Sequence, residues 1–208
     1  SMYRNIDGSG NVALGRRALY GSEHGSNNVA LGDNALGEGT GGSDNVAIGR
    51  ESLYKSLSSN NVAIGIQAQR LATTGTENVA VGNQALRNNI EGIRNVATGT
   101  ASLMNTTGSK NAAYGFYAGN ELTTGEENTL LGYFSGGGLK TGSRNIVIGS
   151  NTTIGAGTND YINIGNTIYG YRDTKITQLV RLLLPDLPKT KPATVGEVWR
   201  DGDVLKIA

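Results

Sequence analysis

Side chains able to do covalent chemistry are few in this 208-residue sequence, and they are scattered. Cysteine is absent, so no thiolate nucleophile, disulfide or thiolate metal site can form. The one histidine, His24, lies in the loop Glu23-His24-Gly25 with no nucleophile set around it, and reads as solvated. Carboxylates such as Glu126-Glu127 and Asp201 with Asp203 sit in turn-rich stretches, and spacing alone does not exclude a glycan-cleaving pair on a groove. Gly8-Ser9-Gly10-Asn11-Val12-Ala13 fits a loose dinucleotide fingerprint only because its glycines belong to a chain-wide repeat. The expectation is a protein that is not an enzyme, with no catalytic residue, no cofactor and no metal. Recognition is better served. Tyr114, Phe116, Tyr117, Tyr133 and Phe134 replace small or polar residues of earlier repeats at adjacent levels, which makes an aromatic strip suited to sugars. The alternative is that these rings fill a locally wider interior. Tyr161, Tyr169 and Tyr171 carry the same ambiguity.

The elements that position these residues follow from the repeat. Asn-Val-Ala-aliphatic-Gly starts at Asn11, Asn28, Asn45, Asn61 and Asn78, with degenerate copies from Asn95, Asn111, Asn128 and Asn145 and a tenth at Tyr161. The steps are all 16 or 17 residues. A unit this short cannot hold a helical hairpin. It fits one coil of a solenoid with two short strands and two turns, because each Val-Ala-Ile run is bounded by turn residues. The fold class expected is all-β: a parallel β-solenoid, β-helix or β-roll, of about ten coils over 1–170. Stacked at ~4.8 Å per coil, it would be a rod roughly 50 Å long.

Alternation along the strand puts Val12 and Leu14 on one side and Ala13 on the other. Both sides are apolar, so both are expected to be buried. The valine and leucine side is read as the coil interior. The column Ala13, Ala30, Ala47, Ala63, Ala80, Ala97 and Ala113 is read as a close subunit contact, with a symmetric trimer as the simplest arrangement. Composition limits the other classes. Glycine supplies 32 residues, but a net charge of +1 with aliphatics in register argues against disorder and gives no electrostatic case for nucleic acid or a membrane surface. No apolar run approaches the ~20 residues of a membrane-spanning helix, so no membrane insertion is expected. Ser1-Met2 reads as an added dipeptide, with an N-terminal region expected beyond it.

Asn45-Val46-Ala47-Ile48-Gly49 and its copies resemble the head repeats of trimeric autotransporter adhesins. The longer unit Thr106-Thr107-Gly108-Ser109-Lys110-Asn111-Ala112-Ala113-Tyr114-Gly115 is more similar to repeats of bacteriophage tail-fibre proteins. Two further segments, Ile162 to Gly170 and Ala193 to Ile207, resemble the ends of such fibres. The resemblance implies a homotrimer in the virion tail, outside the cell, working as a structural fibre segment that contacts a host-surface glycan or an outer-membrane receptor. It also implies attachment to other tail proteins through the N-terminal region. Many such fibres continue into a self-cleaving chaperone domain, and no such sequence is present in these residues.

Residues 171–208 lose the repeat and are expected to form a small β cap and trimerisation segment, because an open solenoid end exposes strand edges. Tyr171 to Leu184 reads as strand in preference to helix, Pro185, Pro188 and Pro192 as an extended connector, and Asp201-Gly202 as a hairpin turn. Trp199 is expected to pack in that cap. Three rival functions stand beside the fibre. They are a bacterial cell-surface adhesin head, a polysaccharide-degrading tail spike, and an ice-binding solenoid, for which the threonine pairs at 73–74, 106–107 and 123–124 are too few.

Overall fold

The computed structural model describes residues 4–39, 42–172, 179–183, 198–201 and 204–207. Nine three-residue strands recur along the chain: β1 (Val12–Leu14), β2 (Val29–Leu31), β3 (Val46–Ile48), β4 (Val62–Ile64), β5 (Val79–Val81), β6 (Val96–Thr98), β7 (Ala112–Tyr114), β8 (Thr129–Leu131) and β9 (Ile146–Ile148). A tenth, β10 (Tyr161–Ile164), is followed by β11 (Ile168–Arg172) and β12 (Leu179–Leu183). Strands β1 to β10 pair in parallel and in chain order, so each strand leads once around the coil to its own neighbour. Equivalent residues face each other, as in Val29 with Val46, Ala30 with Ala47 and Leu31 with Ile48. The fold is therefore a parallel β-solenoid of about nine turns.

The repeated asparagine explains why coils stack in one register. Asn95 lies wholly inside, and its Oδ1 accepts the backbone N–H of Asn111 at 2.9 Å. Its Nδ2 donates to the carbonyl of Gly108 at 2.9 Å, one coil on. The same two bonds recur from Asn11 through Asn145, and the ladder ends where Asn145 Oδ1 accepts from Tyr161 N at 3.0 Å. Each coil thus offers its neighbour a buried acceptor and a buried donor, and both are satisfied.

The expectation of two strands per coil needs revision. The second leg is not a strand. Residues six and eight places after each asparagine from Asn11 to Asn128 take left-handed conformations, as Glu51 (φ 57°) and Leu53 (φ 47°) do, and the residue before the asparagine does too, as in Asp44 (φ 57°). Such conformations cost on the order of 1 kcal/mol or more for a residue with a side chain. The leg still bonds between coils, Leu36 N donating to Ser52 O and Leu53 N to Ala68 O at 3.0 Å each, and this offsets the cost.

The assignment of sides is also corrected. Ala30, Ala47, Ala63, Ala80, Ala97 and Ala113 are fully buried by their own chain, and Ala13 is half-buried at the first coil. The alanine column is the interior of the coil and is not a subunit contact. Inside the coil it is joined by a leucine column of the second leg, Leu19, Leu36, Leu53, Leu86 and Leu103. Where leucine fills the second leg, the narrow coil leaves room for only a small residue on the strand side, and alanine stands there. The eighth coil reverses the pair. Leu130 occupies the alanine position, Gly136 stands in the leucine column, and a Cβ on Gly136 would come within 2.9 Å of Leu130 Cδ2.

Toward the end of the chain, β11 runs antiparallel to β10 and β12 antiparallel to β11, so strand is the conformation found at Leu179–Leu183. The hairpin expected around Asp201-Gly202 is present as β13 (Val198–Asp201) paired antiparallel with β14 (Val204–Ile207). The three prolines and the side chain of Trp199 lie outside the described residues.

Candidate functional site

With the alanines inside, the valine, isoleucine and leucine side chains that flank them project outward. Over ten levels of one sheet they make up most of two parallel columns, with Val46, Val62, Val79 and Val96 in the first and Ile48, Ile64, Val81 and Leu131 in the second; Ala112 and Thr129 interrupt the first and Thr98 and Tyr114 the second. All are half-buried or exposed, with Ile64 at 36% and Leu131 at 46%. A sheet face this long and this apolar exceeds the scattered exposure normal for a protein surface. The residues were legible in the sequence, but their direction was not. At five levels Leu19, Leu36, Leu53, Leu86 and Leu103 already supply the large interior residue, and that spacing is the signal in the sequence.

The aromatic strip lies on the same flank. Tyr114 (44% exposed) sits in the second outward column, while Phe116 (47%) and Tyr133 (52%) follow one residue past the glycine corner. The Phe116 and Tyr133 rings stack with centroids 5.7 Å apart and an 11° tilt, and Tyr117 lies 4.5 Å from Phe116. These rings are outside the coil, so they do not widen the interior. Phe134 turns away from the strip, and its ring lies against the backbone of Gly137.

Charged groups pair between coils and do not converge. Arg16 forks onto Asp33 at 2.7 and 3.1 Å, Arg94 meets Glu77 at 2.8 Å, Lys110 meets Glu127 at 3.0 Å, and Arg144 forks onto Asp160 at 2.7 Å. Hydrogen bonds from their arginines hold the Asp33 and Glu77 carboxyls below the usual range, and Arg16, Arg94 and Arg144 are raised in turn. The least exposed pair is Glu51 with Arg70 at 2.6 Å, where the Arg70 hydrogen bond lowers Glu51. The Tyr54 hydroxyl is raised because it donates to Glu38 at 2.5 Å. His24 is exposed and meets Asp7 through Nδ1 at 2.8 Å. Glu126 and Glu127 are both exposed, with Glu127 taken by Lys110, so they do not face each other across a cleft. Among the described residues no group of three acidic or histidine side chains is placed to hold a metal ion, and no helix is long and apolar enough to cross a membrane.

No protein family, curated protein or solved structure matches this chain.

Proposed function

We propose that this chain is a stiff segment of a trimeric fibre, of the kind found in phage tails and related injection devices, and that it helps contact a host surface. The outward apolar face carries the proposal. Two mainly aliphatic columns over ten levels, interrupted by Thr98, Ala112, Tyr114 and Thr129, are matched in length by the same face of another copy, and packing copies along it would remove those side chains from water. The number three comes from the resemblance of the repeats to trimeric fibres and adhesin heads. The earlier contact column is replaced: the alanines fill the coil, and their flanking neighbours meet the partner. Stiffness follows from the continuous strand pairing and the asparagine ladder. In this reading the work is mechanical, with no turnover of a substrate. The stacked Phe116 and Tyr133 rings, at the edge of the apolar face, offer a platform for sugars.

Light scattering coupled to size exclusion tests the assembly. A stable species near three times 21.6 kDa is expected. A clean monomer would remove the physical support for the fibre. Incubation with capsular polysaccharide tests the absence of turnover, and release of oligosaccharides would favour the tail-spike reading.

A further inference from the structure

The exchange of large and small residues in the eighth coil has an external result. Leu130 fills the interior from the strand side, and the second leg carries three successive glycines, Gly136-Gly137-Gly138. Beside them lies an open cavity of about 610 Å³ that runs along the second leg from the seventh coil to Tyr161 at the start of β10. Glu121 lines it from the level before, Phe134 and the bare backbone of Gly137 and Gly138 from the eighth coil, and Thr153 and Tyr161 from beyond. A Cβ on Gly137 would stand 2.8 Å from Phe134 Cε1, so the glycine is what lets the ring lie against the wall. Glu121 is half-buried, and its carboxylate makes no ion pair or side-chain hydrogen bond among the described residues.

These groups match one ligand chemistry. An aromatic ring accepts the C–H face of a pyranose. A carboxylate without a cation accepts two hydroxyl hydrogen bonds and disfavours an anion. The volume falls within the roughly 300–1,000 Å³ of small-ligand sites. We infer that this cavity binds a neutral hexose or N-acetylhexosamine unit of a surface glycan. The inference rests on reading the chain as a host-contacting fibre, and it places the sugar on a different leg of the coil from the stacked pair Phe116 and Tyr133.

Saturation-transfer NMR on the full chain tests it, using methyl α-D-glucoside, methyl β-D-galactoside and N-acetylglucosamine, with N-acetylneuraminic acid as the anionic comparison. At least one neutral sugar is expected to bind and the anionic one to give no signal. Glu121→Gln should weaken binding about tenfold, since a charged acceptor is replaced by a neutral one. Thr153→Trp, at an exposed position, should abolish it by filling the cavity. These measurements are made in a Phe116→Ala/Tyr133→Ala background, so that the stacked pair adds no sugar signal, and the cavity's signal should persist there. In that background, a sugar signal that survives Glu121→Gln and Thr153→Trp would overturn the inference, as would no binding of any sugar. Those results are separable from the fibre reading, because the solution mass decides self-association whatever the sugars do.

Discussion

Residue by residue, few buried polar side-chain atoms among the described residues lack a partner, and Gln69 carries two of them. It stands in the leucine column between Leu53 and Leu86, fully buried, with neither Nε2 nor Oε1 finding a partner. Its backbone φ of 47° equals that of Leu53, so leucine fits there without new strain. Gln69→Leu is expected to stabilise the fold by about 1–3 kcal/mol, the cost of a buried polar group left unpaired, and a raised melting temperature would show it. Glu51 sets a second expectation at this scale. Its carboxyl is held below its unfolded value, so the stability it contributes is present above about pH 4.3 and is lost as pH falls through the lower folded value. Arg70→Met should remove that contribution of about 0.5–1 kcal/mol, giving a smaller drop in melting temperature between pH 5 and pH 3 than the native chain shows.

The coil, as an element, was largely legible from spacing. The step of 16 or 17 residues sets one turn per repeat, and Asn95 with its counterparts marks where each strand begins. Two things were hidden. Alternation says that Val79 and Ala80 face opposite ways, but it does not say which faces inward. That depends on Leu86 from the other leg already occupying the space. The second leg was misread as strand because left-handed geometry at leucine, as in Leu86 (φ 51°), opposes intrinsic preference and is held by bonds between coils. The cavity beside Phe134 was legible only as an unexplained run of glycines, and the aromatic strip was found by residue type alone. Close packing between coils gives an expectation of its own. At Gly82 (φ 140°) a Cβ would fall 2.5 Å from the Gly99 carbonyl oxygen of the next coil. Gly82→Ala should therefore cost at least about 3 kcal/mol by adding backbone strain to a steric clash, measurable by chemical denaturation.

For the whole molecule, the proposed assembly rests on the apolar sheet face. Val79 and Val96 lie at its middle, half-buried and side by side in the first outward column. Replacing both with lysine should leave the coil intact by circular dichroism, because neither side chain enters the interior. In the proposed packing of copies along this face, like charges would then repel at every copied contact, and the species in solution should have the mass of one chain. An unchanged assembly would show that copies meet elsewhere.

The asparagine ladder also bears on how such a molecule changes length over generations. Every interior coil receives one hydrogen-bonding pattern from below and passes the same pattern upward. Unequal recombination between two copies of the Asn-Val-Ala string therefore deletes or duplicates a whole coil and rejoins matching surfaces. Reach can be gained or lost in increments of ~4.8 Å with no new interface to invent. A lineage carrying this chain should vary in coil number more readily than in coil sequence.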